Sequence, residues 1–570
     1  MPDRRGSEFG RICGAGHRTR LNIALPTAIY TPMNVVSGWL SQPLGCCRRT
    51  YSALLVTVIF VGKSADAQPQ FSWARGGGGT NHDFALGIAA DAWGNSYIAG
   101  QSLSPVMSFP GLGTLTNEGS HAILVAKYDR AGNVVWVRNN GKVVAGAFPD
   151  SRAIGVVVDG NGNCYAAGVF SGTFRFGATT LASSGLNDLF LAKYDVAGSL
   201  VWIQRAGGLT ASDTATGARL VIDPSGNICL MGQCSGSVQF STTAGTNASL
   251  SGKSAFLAKY DPAGNLFWIR QIMGDAFPDA IAAGPFGNVF LACDFSSTTV
   301  VLDGITLTNQ GAYNGLVAKY APTGSLQWVR QIGGSAADWP VGLGCDASEN
   351  IIVSAYVNSP DAKVGGVTLT TSNQVLAKMT TTGNLVWAKP TTLMGRVAVE
   401  PDGRVFMAGT FDGTNVFGSS TLTNSGDPDA FVANFSAPGD PLWAVQAGGV
   451  DQDNAWDLAL DGAGSAYFTG EFRNIAAFGS NFITNTSPSG DLFVSRLLVE
   501  SPHLNINPIS PSEVRVLWPA SVHGFQLHST TNLSVPSWLP VGTPPSVIGT
   551  NFSVTTTASN HIHFFRLKSS

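Results

Sequence analysis

The hydrophobic and polar positions of this chain follow one pattern, clearest at residues 255–270, AFLAKYDPAGNLFWIR. Two apolar runs flank Asp261-Pro262-Ala263-Gly264-Asn265. Asp first, Pro second and Gly fourth suit a type I turn, and Asn accepts the left-handed geometry that closes a hairpin. Each run alternates or is β-branched and aromatic, as a half-buried or buried strand should be. The pattern returns as LVAKYDRAGNVVWVR ending at Arg138, LAKYDVAGSLVWIQR ending at Arg205 and LVAKYAPTGSLQWVR ending at Arg330. Weaker copies end at Lys389 and Val445.

The Trp of the second strand falls at 73, 136, 202, 268, 328, 387 and 443. After it come a Gly-Gly or near equivalent, an Asp, an apolar strand and a second hairpin, such as GIAADAWGNSYIAG at 87–100 or GVVVDGNGNCYAAG at 155–168. A polar linker then leads to the next AKYD-type strand. Each repeat is thus expected to hold four strands in two hairpins, and there are seven repeats. Units of four strands cannot bury their own faces, so they stack, and the architecture this predicts is a β-propeller. The seventh unit runs through DLFVSRLL at 491–498 and stops before its Trp-bearing strand. Residues 70–74, QFSWA, are that strand standing alone. Joining the two closes the ring and removes an exposed edge.

The repeats, with Asp-x-x-Gly-Asn-x-Tyr-x-x-Gly and Phe-x-x-Lys-Tyr-Asp-x-x-Gly-x-x-x-Trp as their marks, resemble the SBBP-type bacterial β-propeller repeat over residues 68–498. The resemblance implies a seven-bladed ring and says little about activity, because propellers host many unrelated functions. The sixth unit departs most, with its Trp387 to Gly403 spacing shortened. Residues 502–570 change pattern and end in Phe564-Phe565-Arg566-Leu567, similar to small C-terminal modules of bacterial secreted proteins. The expected fold is therefore all-β: a seven-bladed propeller closed by an N-terminal strand, plus a small C-terminal β-sandwich.

Charged residues are only 12% of the chain and glycines number 68, while hydrophobic residues reach 44%. That composition fits ordered β structure with many turns and argues against disorder. The formal charge of −3 comes without a basic run beyond the first 50 residues, so nucleic acid is not an expected partner. Arg48-Arg49, an apolar stretch at 51–62 and Ala65-Asp66-Ala67 read as a secretory signal peptide, making 1–67 a leader. The 47 residues ahead of it carry no periodicity, and Met33 is the natural alternative start. The mature chain is expected to begin at Gln68, to carry no membrane span and to be a monomer outside the cell or at its surface. Of the eight cysteines, Cys164, Cys229 and Cys293 lie inside apolar strand patterns, and the spacing of Cys229 and Cys234 lacks a second pair for zinc.

The most regular polar feature is one Asp before the first strand of the repeat: Asp83, Asp150, Asp213, Asp279, Asp338 and Asp453. These carboxylates would ring one mouth of a central channel as a cation or ligand site. Alternatively each accepts backbone N–H groups in the turn between neighbouring units, and repetition in six units favours the turn. Residues 159–163, DGNGN, have the oxygen spacing of a calcium loop but lack its closing Glu, so a hairpin turn is expected and no metal. The Asp-x-x-Gly-x-x-x-Trp element is also similar to the tryptophan-docking motif of quinoprotein dehydrogenases. Their vicinal cysteines have a counterpart only in Cys46-Cys47, ahead of the signal peptide, and no cofactor is expected. The linkers, with Phe109, Asn117 and His121 in the first, offer the most variable surface. A non-enzymatic scaffold binding a protein or glycan is the functional expectation. The competing class is a polysaccharide-acting enzyme with carboxylates at the channel mouth.

Overall fold

The computed structural model describes residues 69–499, except 118–120, 142–150, 242–247, 370–372 and 486–488, together with segments of 505–569 and the pairs Val35–Val36 and Val58–Ile59. The signal peptide and leader otherwise lie outside the described residues, as does Asp150. The described chain is all-β, and no helix in it is long and apolar enough to cross a membrane.

Seven antiparallel four-stranded sheets share one strand order. Sheet one is Asp83–Ala90, Ser96–Ser102, Ala122–Tyr128 and Val134–Gly141. Sheets two to six repeat it from first strands Arg152–Val158, Thr214–Ile222, Ala276–Ala283, Asp338–Cys345 and Gly395–Val399. Sheet seven takes Asn454–Leu460, Ser465–Phe472 and Asp491–Leu498 from the end of the array and its fourth strand, Gln70–Gly79, from the beginning. That strand pairs Phe71 with Leu497 and Gly77 with Leu492. The first strands stand beside one another in order, and the seventh returns to the first. The second and third strands are buried nearly end to end, which explains their continuous apolar runs.

The repeated pattern has a physical cause. Trp73, Trp136, Trp268, Trp328 and Trp387 each leave the fourth strand of their sheet and lie on the turn glycine of the next. Gly132 holds φ of 81°, and a Cβ there would stand 2.7 Å from the Trp73 ring, so both backbone and space demand Gly. The Trp73 indole N–H donates to Arg130 O (3.0 Å), and Arg75 two residues on donates through Nε to Gly132 O (3.0 Å). Trp328 and Arg330 repeat this on Thr381 O (2.9 Å) and Gly383 O (3.0 Å), with the guanidinium stacked on its own Trp. Trp73 makes the clasp between sheets seven and one, so the N-terminal strand joins its neighbour by the same device as the Trp rings on Gly198, Gly324, Gly383 and Gly439.

The linkers are a correction to the two-hairpin repeat. Each contains its own short hairpin, for example Val106–Phe109 with Gly113–Thr116 and Ser237–Phe240 with Ala248–Ser251. These hairpins reach back to the preceding sheet: Gly78 pairs with Ser108, Gly208 with Val238 and Ile272 with Leu302. Their alternate side chains, Met107 and Phe109 or Val238 and Phe240, are buried, so they cover the outer edge of that sheet. Phe109 (1% exposed) and Asn117 (7%) are thus packing residues, not a free binding surface. Residues 505–569 form two separate small sheets around Val514, Val516, Trp518, Leu527, Val554 and Phe565.

Candidate functional site

Of the candidate aspartates, five fall among the described residues; four of these do the work of turns and do not share one ring with the fifth. Asp83, Asp213, Asp338 and Asp453 each accept the backbone N–H four residues earlier: Gly79 (2.8 Å), Leu209 (3.2 Å), Gly334 (2.8 Å) and Gly449 (2.6 Å). Asp83 adds Leu103 N and Ser104 Oγ, Asp338 adds Ser359 N and its hydroxyl, and Asp453 adds Arg473 N. With lone pairs committed to the backbone, these carboxylates are poor cation ligands. The oxygens of Asp159 are likewise taken by Asn161 N, Asn163 N and Asn163 Nδ2.

Asp279 is different because it sits three residues into its strand. Pro278 has no N–H to give the ladder, and the register shifts between Pro278 and Ala280, leaving Asp279 as the extra residue of a bulge. Similar shifts lie between Ala85 and Gly87, Ala153 and Gly155, Thr216 and Arg219, Pro340 and Gly342, and Ala455 and Asp457. Just past this level, equivalent positions carry Gly87, Gly155, Arg219, Ala280, Gly342, Arg396 and Asp457, defined by their partners Ala99, Ala167, Met231, Ala292, Ser354, Ala408 and Thr469. Four are small and three are charged.

Those three charged residues make the waist of a channel lined by all seven first strands. Arg219 donates through Nε to Asp279 O (3.1 Å), and Arg396 donates through Nη1 to the same oxygen and to Val341 O. The bulges free those carbonyls from the sheet ladder, and the guanidiniums satisfy them. Asp457 accepts Ile88 N at 3.0 Å. Burial, then the charge of Arg396, pulls the Arg219 guanidinium down to about 9. Burial, then the charge of Asp294, holds the Asp279 carboxyl well above the usual carboxylate range, and Asp294 behind it is pushed up to about 6, chiefly by burial. Asp457 is raised as well, again by burial first.

The waist separates two chambers. One, about 310 Å³, contains both arginines with Asp279 and Asp457. The other, about 570 Å³, is lined by Arg152, Arg219 and Arg396 with Phe84, Tyr356 and Trp456, and by no Asp or Glu among the described residues. The Phe84 and Trp456 rings meet edge to face at 5.5 Å, and Trp339 leans on Tyr356 at 5.0 Å. The waist residues Arg219, Arg396 and Asp457, and Trp456 in the larger chamber, were absent from the candidates drawn from the sequence. Stacking the second hairpins as GIAA, GVVV, RLVI, AIAA, GLGC, RVAV and DLAL exposes Arg219, Arg396 and Asp457 as departures from a small residue.

No family model matches the chain. It is 23% identical over 337 residues to an uncharacterized WD repeat-containing protein of Acanthamoeba polyphaga mimivirus, covering 48% of this chain and 24% of that protein. The chain spans about a quarter of the length of the curated relatives it matches. Among solved structures it is similar to virginiamycin B lyase from Staphylococcus aureus, at 10% identity and TM-score 0.35 over 73% of this chain and 95% of that one. It is also similar to a gluconolactonase from Xanthomonas campestris, at 12% identity and TM-score 0.27 over 59% and 90%. These neighbours are β-propeller-like, in keeping with the all-β sheets. They also correct the expectation that the chain is not an enzyme: a lyase and a gluconolactonase are among its distant neighbours, so catalysis is not excluded by the fold.

Proposed function

We propose that this chain is a secreted, seven-bladed β-propeller of the SBBP-repeat kind, closed by its N-terminal strand, that acts as a binding scaffold at the cell surface or outside the cell. Residues 502–570 serve it as a β-sandwich module. The observation that carries the binding role is a contrast within the repeats. The Trp–Gly clasp recurs from sheet to sheet, whereas the channel positions break symmetry at Arg219, Arg396 and Asp457. A rigid frame with non-repeating polar groups in its channel is the arrangement that recognition needs. Exported protein applied to an array of bacterial polysaccharides, alongside capture of proteins from culture supernatant, tests this. Saturable binding to one glycan or protein supports it, and retention of the chain inside the cell with Arg48-Arg49 intact sinks the secreted part.

An acid-assisted reaction is the second reading, favoured by the adjacent carboxyls of Asp279 and Asp294, both held above the usual range. Screening hydrolysis of acidic and neutral polysaccharides with the wild type and Asp279→Asn decides it, since a turnover unaffected by that change rules this pair out.

A further inference from the structure

The larger chamber has a charge and a shape that the scaffold role does not yet use. The chain carries a formal charge of −3, yet this chamber gathers three arginines without a lining carboxylate among the described residues. Arg219 and Arg396 come from the third and sixth sheets and converge on one oxygen, Asp279 O. Arg219 uses only Nε in protein hydrogen bonds and Arg396 only Nη1, so the remaining N–H groups of both forks face channel solvent. Burial and then the charge of Arg396 lower the Arg219 guanidinium, and the two carboxyls that face the pair, Asp457 first and Asp279 after it, are both pushed above the usual carboxylate range by burial, which weakens their hold on the forks. An anion between the forks relieves the repulsion between them and supplies the acceptors the N–H groups lack. Above them Phe84, Trp456 and Tyr356 offer flat apolar faces. The volume, about 570 Å³, falls in the range of roughly 300–1,000 Å³ typical of small-molecule sites.

We propose that this chamber binds a small organic acid carrying a ring, with its carboxylate in the forks of Arg219 and Arg396 and its ring against Trp456 and Phe84. This rests on the reading of the ring as a binding scaffold and names what its channel takes. A planar carboxylate matches two guanidinium forks, and a ring face matches the aromatic wall, whereas inorganic phosphate uses only the first. An acidic sugar and an aromatic acid share this chemistry.

Titration calorimetry on the full chain with digalacturonate, 4-hydroxybenzoate and inorganic phosphate separates the sources. One of the two organic acids should bind, and its methyl ester should bind at least about tenfold more weakly, because the ester cannot accept both forks. Trp456→Ala and Arg396→Gln should each weaken the acid about tenfold, while Asp213→Asn, in a remote turn, leaves it unchanged. If Arg396→Gln fails to fold, the ester and Trp456→Ala still decide the matter. The proposal is overturned if neither acid gives heat with folded protein, if acid and ester bind alike, or if Trp456→Ala leaves the affinity for the acid unaltered. Polysaccharide or protein capture that persists while both acids fail would retain the scaffold and remove only this channel ligand.

Discussion

The junction between sheets four and five and the junction that closes the ring are built alike but charged differently. In the first, Asn314 starts the third strand and Asp338 starts the next sheet. Asn314 Nδ2 donates to Gly334 O at 3.0 Å, its oxygen accepts Gln310 N at 2.8 Å, and Asp338 accepts Gly334 N. A Cβ on Gly333, whose φ is 127°, would lie 2.7 Å from both Asn314 Nδ2 and Asp338 Oδ2, so Gly lets the two side chains share one small space. At the closing junction Asp491 stands where Asn314 does and Asp83 where Asp338 does. Asp491 Oδ1 is buried without a partner, and its carboxyl is pushed up to about 8 by burial and then by the charge of Asp83. Glu471 lies beside them, bridged to His82 (3.4 Å) and Arg473 (3.5 Å). The amide joins its sheets at any pH, whereas the paired acids need a proton.

The comparison breaks most severely if the closing strand is removed. Deleting 70–79 strips sheet seven of its fourth strand, exposes the edge of Asp491–Leu498, and empties the Trp73 clasp on Gly132. Differential scanning calorimetry is expected to show no cooperative transition for this variant, while deleting 505–570 leaves the transition in place. A deletion of 70–79 that melts like the full chain would mean the closing junction carries no stability.

Next in size is the clasp itself. Trp73 is 4% exposed, its indole is hydrogen-bonded, and it packs 6.2 Å from the Tyr467 ring. Trp73→Ala should destabilise by about 3–5 kcal/mol, the usual cost of emptying a large aromatic site. Trp268 at the junction of sheets three and four is only half-buried, so Trp268→Ala should cost less. Urea unfolding of the two variants ranks them, and equal losses would show that closure adds nothing to the clasp.

How much of this was legible in the sequence follows from what repeats. The AKYD and Trp marks recur because hydrogen-bond geometry and packing impose them on every sheet, so strand positions and the role of 70–74 were readable from spacing. The linker hairpins were missed because strands of four residues such as Val106–Phe109 sit among Gly, Ser and Thr, where two buried side chains make no visible run. The turn reading of the aspartates fits Asp83, Asp213, Asp338 and Asp453, whereas Asp279 shares their spacing from the Trp but falls three residues into its strand, because Ala276 already stands where Asp83 does. The channel residues were legible in principle. They appear as what fails to repeat, at positions where the other sheets carry Gly or Ala.

The smallest effects exchange the two junctions. The unfolded Asp491 loses its proton near pH 4, whereas in the folded chain it holds the proton up to about 8. Between those values the folded state binds more protons, so stability falls as pH rises, the full contribution being present only below the unfolded value. Asp453, pushed up to about 7 chiefly by burial, adds a slope of the same sign at the junction of sheets six and seven. Asp491→Asn gives Asp83 an uncharged neighbour with a donor, as Asn314 gives Asp338. Melting temperatures of this variant should fall less between pH 5 and pH 8 than those of the wild type, and exceed them at pH 8. Asn314→Asp should do the reverse, importing a loss of stability above pH 5 into a junction that has none from this position, because the acid can no longer donate to Gly334 O once ionised. Parallel pH profiles for the wild type and both variants would show that the carboxyl of Asp491 is already ionised in the folded chain, and that the two junctions differ in sequence without differing in proton demand.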